Sequence, residues 1–405
     1  MNSLEENPQG VDRAEIVVGI PSYNEVSSIA FPTQQADKGL SKYYPDRSAV
    51  IINCDNHSPD NTRQAFMQTA TKTPKIYIST EDGVRGKGNN LRNLFKKAVD
   101  LSAKAVVVLD ADLKSITPLW IRHLVEPVFD NYQFVSPLYV RHKYDGTVTN
   151  NIAYPMTRAL YGRRVRQPIG GDIGFSAELA RLYLESDSWD ERVSQFGVTI
   201  WMTTLAMRNR ASVIQSFMGR AKIHTVKDLS AELTSMFEDV VGTIFELMCH
   251  FENFWKEVKW SRPSAVFGFG VGAVEVPPPV EVDTKSLWEH FILGLRTYWD
   301  LYSQVLRIQN VNKLDEVAGL PEDAFEFPTS IWAKVLYDFA VAYKNRIVPQ
   351  EDLLKALIPL YYAKTLSFVL ETQPMNTQQV EEYIEDQCLQ FEKTKPYLLE
   401  RWLSG

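Results

Sequence analysis

Five short apolar runs alternate with segments of helical periodicity in the first half of the chain, and this alternation constrains the fold most. The runs are rich in β-branched residues and end in polar ones: EIVVGIPSYNE, SAVIINCDNHSPD, PKIYIST, KAVVVLDAD and YQFVSPLYV. Such runs are typical of buried strands. Between two of them, Leu91, Leu94, Phe95 and Ala98 share one helical face. Strands that alternate with helices predict a largely parallel α/β sheet.

Polar residues stand where several of these predicted strands end. The residues are Asn24, Asp55, Asp110 and Asp112. Because the carboxyl ends of parallel strands open into one crevice, these side chains are expected to meet there. We therefore predict a polar tail over residues 1–14 and a ligand-binding α/β domain over residues 15–228.

After about Asp228 the pattern changes to long segments with helical periodicity. One apolar face comprises Leu287, Trp288, Phe291, Ile292, Leu295, Tyr298 and Trp299. We predict that residues 229–405 are mostly helical, with a loop near residues 268–282 and a final amphipathic helix after Thr377. The apolar faces are most simply core, and the alternative is a contact in a homodimer.

The composition excludes several classes of protein. The chain has 43 basic and 50 acidic residues, and the formal net charge of -7 disfavours nucleic acid as a partner. Three cysteines that are far apart indicate reduced thiols and not a disulfide framework. The polar start MNSLEENPQG lacks the pattern of a secretory signal, and no stretch was read as a membrane span. We expect a cytoplasmic protein.

The strongest chemical signal is AVVVLDADLKS, where two carboxylates follow directly on a predicted strand. Asp110 and Asp112 can both reach the crevice, where they are suited to a divalent cation and a diphosphate. A solvated loop or a helix cap is the alternative for an isolated D-x-D. The preceding strand favours the metal site.

Two further segments carry possible contacts to a nucleotide. VRGKGNNLRNLF joins Arg85 and Lys87 to two glycines at a predicted helix start, which suits a phosphate; the alternative is a capping loop with exposed basic side chains. GIPSYNE ends the first strand with Pro21, Tyr23 and Glu25, which suits a nucleoside pocket. Asp55 can accept a hydrogen bond from a base N–H, or it can form an Asx-turn.

Two later segments complete the candidate site. RQPIGGDIGFS places Gly170 and Gly171 before Asp172, which permits a close backbone approach to a ligand or forms a tight turn. His224 follows a predicted short strand and can complete a metal shell with Asp112; the alternative is a structural histidine.

In their order, PSYNE, DNHSPD, RGKG, DAD, GGD and the late histidine resemble the nucleotide-sugar transferases of the glycosyltransferase A (GT-A) fold. The chain looks most like the glucosyl-3-phosphoglycerate and mannosylglycerate synthases. The resemblance implies a Rossmann-like domain that binds a nucleoside diphosphate sugar with Mg²⁺ or Mn²⁺. It places Pro21, Tyr23, Glu25, Asp55 and Lys87 at the nucleotide, and Asp110, Asp112 and His224 at the ribose, diphosphate and metal.

The same resemblance concerns the acceptor. KYDGTVTN is similar to the acceptor loop of the phosphoglycerate enzymes, which places Gly146, Thr147 and Thr149 beside glycerate or 3-phosphoglycerate, while Gly170, Gly171 and Asp172 border the sugar. Thr147 stands where those enzymes carry arginine, and Thr199 stands where an acidic residue is usual. Free glycerate is therefore a candidate acceptor.

The expected reaction is retaining transfer of glucose or mannose to that acceptor, with Lys87, Asp110, Asp112 and Asp172 as catalytic residues. Three alternatives stay open: an inverting transferase that acts on a lipid phosphate or polysaccharide, a nucleotidyltransferase, and a sugar-nucleotide binding protein without turnover.

Overall fold

The computed structural model describes residues 4–223, 229–268 and 275–404, with the side chains of residues 229–233 excepted. His224 and much of the predicted loop at 268–282 lie outside these residues; residues 275–283 form neither helix nor strand.

The chain forms two compact units. The sheet unit comprises Met1–Arg141, Val165–Leu229 and Pro263–Pro277, and the helical unit comprises His142–Arg164, Ser230–Arg262 and Pro278–Gly405. Residues 142–164, which the sequence analysis assigned to the α/β domain, therefore cluster with the C-terminal helices. That residues 15–228 and 229–405 form separate domains stays a prediction.

The strands are β1 (Glu5–Glu6), β2 (Ile16–Ser22), β3 (Ala49–Asp55), β4 (Lys75–Ser79), β5 (Ala105–Val108), β6 (Phe134–Val140), β7 (Arg163–Arg164), β8 (Ile173–Ser176), β9 (Val213–Ala221), β10 (Arg262–Pro263) and β11 (Ala265–Phe267).

The first eight helices are α1 (Ala30–Tyr43), α2 (Thr62–Gln68), α3 (Lys87–Asp100), α4 (Pro118–Phe129), α5 (Tyr154–Tyr161), α6 (Ala177–Glu185), α7 (Glu191–Ser194) and α8 (Val198–Arg208). The others are α9 (Leu229–His250), α10 (Glu252–Trp255), α11 (Thr284–Val305), α12 (Ile308–Ala318), α13 (Thr329–Asn345), α14 (Gln350–Thr372) and α15 (Thr377–Ser404). A π-helix (Thr149–Ala153) precedes α5, and a 3₁₀ turn (Glu322–Ala324) precedes α13.

The sheet unit is built on one sheet of nine described strands in the order β1-β4-β3-β2-β5-β8-β6-β9-β11. All five strands predicted from apolar runs are present, as β2 to β6. Strands β2, β3, β4 and β5 pair in parallel, as predicted. Strands β1 and β8 run antiparallel to their neighbours, so the sheet is mixed. The predicted tail contributes β1, whose Glu5 pairs with Ile78.

Helix α3 packs closely on the centre of this sheet. Its predicted apolar face is buried, because Leu91, Leu94, Phe95 and Ala98 are all inaccessible to solvent. A Cβ at Gly19 of β2 would lie 2.2 Å from the Leu94 side chain, so only glycine lets the helix come so near. Burial of each of the leucine and phenylalanine side chains stabilises the fold by about 1.5 to 3 kcal/mol. This packing holds the first residue of α3, Lys87, at the carboxyl end of the strands.

The helical unit confirms the prediction of a mostly helical C-terminal region, including the final helix α15. Its π-helix is capped by side chains from two other helices. Trp332 Nε1 donates to Asn151 O at 2.8 Å, and Gln387 Nε2 donates to Asn150 O at 2.7 Å. These donors satisfy carbonyls whose regular helical pairing is disturbed in a π-helix.

One helix among the described residues, α14, is long and apolar enough to cross a membrane by length and composition. However, 78% of its most apolar window is buried inside the protein. No membrane span was predicted for this segment from the sequence. Its burial is what a core helix requires, and its buried Lys364 is a residue that lipid would not favour.

Candidate active site

The carboxyl ends of the central strands lie level at one edge of the sheet. Ser22 is paired with Asp55 and Asp55 with Ser79. Asp110 comes two residues after β5 ends, and Leu109 N–H donates to Gly19 O at 3.0 Å as the chain leaves that strand. The predicted gathering of polar residues at this edge is therefore present in the sheet unit.

Asp110 lies between two lysines. Lys87 Nζ is 2.5 Å from Asp110 Oδ1, and Lys222 Nζ is 3.2 Å from Oδ2. The side chains of Asp110 and Lys87 keep 14% and 20% of their surface exposed, whereas Lys222 keeps 3%. Solvent can thus reach one side of this cluster, which a binding site requires.

Asp172 forms the buried base of the cluster. It is fully buried and accepts from Lys222 Nζ at 3.1 Å, from Asp110 N–H at 2.9 Å and from the Tyr139 hydroxyl. Burial opposes the charged form of Lys222, but Asp172 and Asp110 outweigh it and raise the pKa of Lys222. The pKa of Tyr139 is raised, mainly because the hydroxyl is buried and also because the Asp172 and Asp110 carboxylates are near. The cluster therefore holds Lys222 charged and Tyr139 neutral.

Gly171 shows why a glycine precedes Asp172. A Cβ there would lie 2.1 Å from Asp110 Oδ2. The structure uses this glycine to admit the Asp110 carboxylate, and the predicted close approach to a ligand stays a prediction. Gly170 packs in the same way on Pro137.

The segment after β2, which is predicted to contribute to a nucleoside pocket, contains a contact between a cation and an aromatic ring. Arg85 stacks over the ring of Tyr23, with 4.8 Å between the guanidinium carbon and the ring centroid. Pro21 is buried in the strand. Glu25 is also buried; its N–H donates to Thr62 Oγ1 at 2.8 Å, and its carboxylate accepts from the Ser28 hydroxyl.

Asp55 is occupied by internal hydrogen bonds. Ser22 Oγ and Ser58 Oγ both donate to Oδ1 at 2.7 Å, Ser58 N–H donates to Oδ2 at 2.7 Å, and Tyr77 donates to Oδ2 at 3.0 Å. The residue is fully buried. The turn that was the alternative for DNHSPD is thus present, and recognition of a base by Asp55 stays a prediction that would require one of these donors to be displaced.

The glycines of VRGKG have another use in the structure than a phosphate cradle. A Cβ at Gly88 would lie 2.0 Å from Val193 O, and one at Gly86 would lie 2.2 Å from Ser194 O. Gly88 N–H donates to Gln195 O, and Gly86 N–H donates to Asn56 Oδ1. These glycines admit a neighbouring segment of the chain, Val193–Gln195, which accepts a hydrogen bond from the Gly88 N–H, while the Gly86 N–H is bound to Asn56. Of the predicted phosphate site, the Lys87 ammonium is the part that lies with the carboxylates.

Asp112 lies in the turn after β5, partly exposed, and borders a cavity of about 350 Å³. Among the described residues, no three His, Cys, Asp or Glu side chains are grouped so as to hold a metal ion. His224, the predicted partner of Asp112, lies outside the described residues. A partly exposed carboxylate beside a cavity fits Mg²⁺ or Mn²⁺ as one hard oxygen ligand. The predicted pair of Asp112 and His224 stays a prediction.

The predicted acceptor residues are divided between the two units. Gly146, with a positive φ of 75°, Thr147 and Thr149 belong to the helical unit. Thr147 Oγ1 is hydrogen-bonded to the Tyr361 hydroxyl at 2.5 Å, and Thr149 is 1% exposed. Thr199 lies in the first turn of α8 in the sheet unit. That these residues form one acceptor site stays a prediction.

A family model described as glycosyl transferase family 2 matches residues 17–186, less than half of the chain. The sheet unit has the GT-A fold. No curated protein matches the chain in sequence.

The chain is also similar to solved structures of glucosyl-3-phosphoglycerate synthase from Mycobacterium tuberculosis. The complex with Mn²⁺, UDP and glucosyl-3-phosphoglycerate is 24% identical, with 58% of this chain and 79% of that chain covered and a TM-score of 0.45. The complex with phosphoglyceric acid is 25% identical, with 57% and 79% covered and a TM-score of 0.46. The complex with Mg²⁺ and UDP is 24% identical, with 58% and 78% covered and a TM-score of 0.44.

Within the GT-A sheet unit, sequence reasoning missed Lys222 and Tyr139, which complete the Asp110 cluster. Lys222 stands two residues before His224, and the only prediction made for GRAKIHTV was that His224 is a metal ligand. It also missed Asn90, whose side chain joins Asn56 at 2.8 Å and Ser22 O at 3.0 Å and so ties three segments of the site together. Asn90 is a buried amide in the first turn of α3, and a polar residue on that otherwise apolar face is the signal that was available.

Proposed function

We propose that this protein is a retaining glycosyltransferase that transfers glucose or mannose from a nucleoside diphosphate sugar to D-glycerate or 3-phosphoglycerate. The observation that carries the proposal is the cluster of Lys87, Asp110, Lys222 and Asp172 at the strand ends of a GT-A fold. This cluster contains two ammonium groups and an accessible carboxylate at the edge where such sheets bind ligands.

In this proposal the donor diphosphate lies beside Lys87, with Asp110 at the ribose and Arg85 and Tyr23 near the base. The Lys87 ammonium stabilises negative charge on the departing diphosphate, so the sugar carbon gains cationic character. Asp112 and His224 would hold Mg²⁺ or Mn²⁺, which neutralises diphosphate charge when bound. Lys222 and Tyr139 fix the Asp110 and Asp172 carboxylates by the hydrogen bonds described above.

The burial and hydrogen bonding of Asp172 support transfer with retention of the anomeric configuration. Its carboxylate is fully buried and accepts three hydrogen bonds from the cluster, so it is poorly placed to attack a sugar carbon or to take a proton from an acceptor. We propose front-face attack, in which the acceptor oxygen bonds to the sugar carbon as the bond to the leaving phosphate oxygen breaks. That phosphate oxygen takes the acceptor proton. Asp172 serves to position Asp110 and to border the sugar.

The acceptor proposal rests on the resemblance of the KYDGTVTN segment and on its local structure. Two of the similar solved structures carry glucosyl-3-phosphoglycerate or phosphoglyceric acid. Thr147 carries no charge and its hydroxyl is paired with Tyr361. A neutral side chain at this place supports free D-glycerate beside the phosphorylated acid.

A transfer assay tests the proposal. Purified protein with Mg²⁺ is crossed against UDP-, GDP- and ADP-sugars and against D-glycerate and 3-phosphoglycerate, and release of nucleoside diphosphate is followed. The expected result is release that requires one of these acids and yields an α-linked product from an α-linked donor. A β-linked product would contradict retention and favour the inverting alternative. No release above donor hydrolysis with any pair would overturn the proposed function.

A further inference from the structure

A cavity in the sheet unit lies beside the candidate site and is lined by a lysine, Lys114, that has no role in the proposed donor site. The cavity has a volume of about 350 Å³. It is lined by two segments: Ser27, Ser28 and Phe31 near the start of α1, and Asp112, Leu113 and Lys114 after β5. It therefore shares Asp112 with the proposed metal site, and none of the residues of the Asp110 cluster lines it.

Lys114 is a lysine of this cavity whose ammonium group has no partner among the described residues. Over the ranges that the structure describes, its ammonium makes neither an ion pair nor a hydrogen bond, whereas Lys87 and Lys222 both bind Asp110. Its backbone is fixed: Lys114 N–H donates to Ile223 O at 3.0 Å, and Ile223 N–H donates to Ser115 Oγ at 3.1 Å. The chain therefore holds a cation at the wall of a cavity without giving it an internal partner.

The remaining walls suit a small hydroxylated molecule. Phe31 leaves 37% of its surface exposed and offers an apolar face. The Ser27 hydroxyl has no partner in the described part of the chain, while the Ser28 hydroxyl donates to Glu25. One cation, one hydroxyl and one apolar face match the carboxylate, hydroxyl and carbon chain of a short hydroxy acid, and the charge of Asp112, which also lines the cavity, would be offset by the proposed metal ion.

We propose that this cavity holds the acidic group of the acceptor, with Lys114 as its ionic partner. The inference rests on the proposed function and adds a specificity-determining residue to it. Because the protein carries a net charge of -7, an anionic acceptor needs a local cation to offset the general repulsion. The recognised group is an oxyanion, which D-glycerate supplies as a carboxylate and glycerol 3-phosphate supplies as a phosphate.

Steady-state kinetics of Lys114→Ala, Lys114→Arg and the control Lys38→Ala test the proposal. Lys38 is an exposed lysine of α1 that lines no part of the cavity. Lys114→Ala is expected to raise the KM for D-glycerate roughly 10-fold or more, because a charge-assisted hydrogen bond is lost, with the donor KM unchanged. Lys38→Ala should stay within about twofold of the parent protein, and Lys114→Arg, which keeps the charge, should recover most of the affinity that Lys114→Ala loses. An unchanged KM for D-glycerate in Lys114→Ala would overturn the inference while leaving the proposed transfer intact.

Direct binding separates this inference from failure of the proposed function. Isothermal titration with D-glycerate, glycerol 3-phosphate and neutral glycerol is carried out on the parent protein and on Lys114→Ala. Either anion should bind the parent roughly 10-fold more tightly than the variant, and glycerol should not distinguish the two. The anion that loses more affinity identifies the group at Lys114. Equal affinity of both proteins for both anions would overturn the inference, whether or not the protein turns over a sugar nucleotide.

Discussion

Each unit of the molecule contains a cluster of ion pairs around a nearly buried cation, and the two clusters differ in their place in the fold. In the sheet unit, Asp110 and Lys87 stay partly exposed at the strand ends. In the helical unit, Arg158 is 1% exposed and pairs with Glu392 at 2.6 Å and with Glu385, which keeps 41% of its surface exposed, at 2.5 Å. The pair distances are similar. Neither ion pairing nor solvent exposure alone therefore identifies a site; the sheet-unit cluster is the candidate because it stands at the carboxyl ends of parallel strands, where such sheets bind ligands.

The comparison gives the two clusters opposite roles. Breaking the sheet-unit cluster should mainly change chemistry, whereas breaking the helical-unit cluster should mainly change stability. The second expectation follows because loss of one partner leaves buried charge uncompensated.

The largest effect is expected from Asp112→Asn. The transfer rate should fall about 10³-fold or more, because the proposed metal site loses its only described carboxylate. The melting temperature should move by less than about 2 °C, since Asp112 is partly exposed. Asp46→Asn, at an exposed position of the same unit, is the control. Full activity of Asp112→Asn in a folded protein would remove Asp112 from the mechanism.

Arg158→Ala tests the other side of the comparison. It should lower the free energy of unfolding by about 3 kcal/mol, because Glu392 and Tyr154 lose a buried partner, while Glu385 can return to water. Urea unfolding measures this change. Lys313→Ala, which breaks an exposed pair with Glu316, should cost no more than about 0.5 kcal/mol. Equal costs for the two variants would show that the Arg158 cluster is not structural.

Lys222→Met sharpens the comparison, because Lys222 is as buried as Arg158 but belongs to the sheet-unit cluster. The kcat for transfer should fall roughly 100-fold, since Asp110 and Asp172 lose the cation that they share. The KM for the donor should change less, because Lys222 is proposed to position these carboxylates without touching the nucleotide. Lys104→Met, at an exposed lysine of the same unit, is the control. A loss of stability with unchanged kcat in the remaining folded protein would make Lys222 purely structural.

The smallest effect concerns Lys364, a buried lysine of the helical unit. Its Nζ donates to Thr329 Oγ1 at 3.1 Å and Phe327 O at 3.3 Å, and burial lowers its pKa from 10.5 to about 8. Between these values the unfolded chain binds more protons than the folded one, so stability should rise with pH. Relative to Lys364→Met, the parent protein should gain about 1 to 2 kcal/mol of unfolding free energy from pH 8 to 10.5. A pH-independent difference between the two proteins would contradict this.

The sequence predicts the features that depend on local pattern. Five strands, the buried face of α3 and the helical C-terminal region follow from apolar periodicity over short windows. The placement of Asp110 at a strand end follows from the same pattern, because a polar pair stands directly after an apolar run. These predictions need no knowledge of distant contacts.

The features that depend on distant contacts could not be predicted in this way. Lys222 lies 112 residues from Asp110 in sequence, and no local pattern connects the two. The glycines of VRGKG predicted a phosphate site or a capping loop, and no local pattern indicated that they admit Val193–Gln195. The transfer of residues 142–164 to the helical unit depends on partners such as Trp332 and Gln387, which lie far along the chain.

The most direct test of the central claim is nucleoside diphosphate binding with and without metal. Isothermal titration with UDP and GDP is carried out on the parent protein and on Asp112→Asn, each with Mg²⁺ or with a chelator. The account predicts that the metal tightens binding of one nucleotide at least roughly 10-fold in the parent and has little effect in Asp112→Asn. Nucleotide affinity that is independent of the metal, or equal in the two proteins, would contradict a diphosphate site at the strand-end carboxylates.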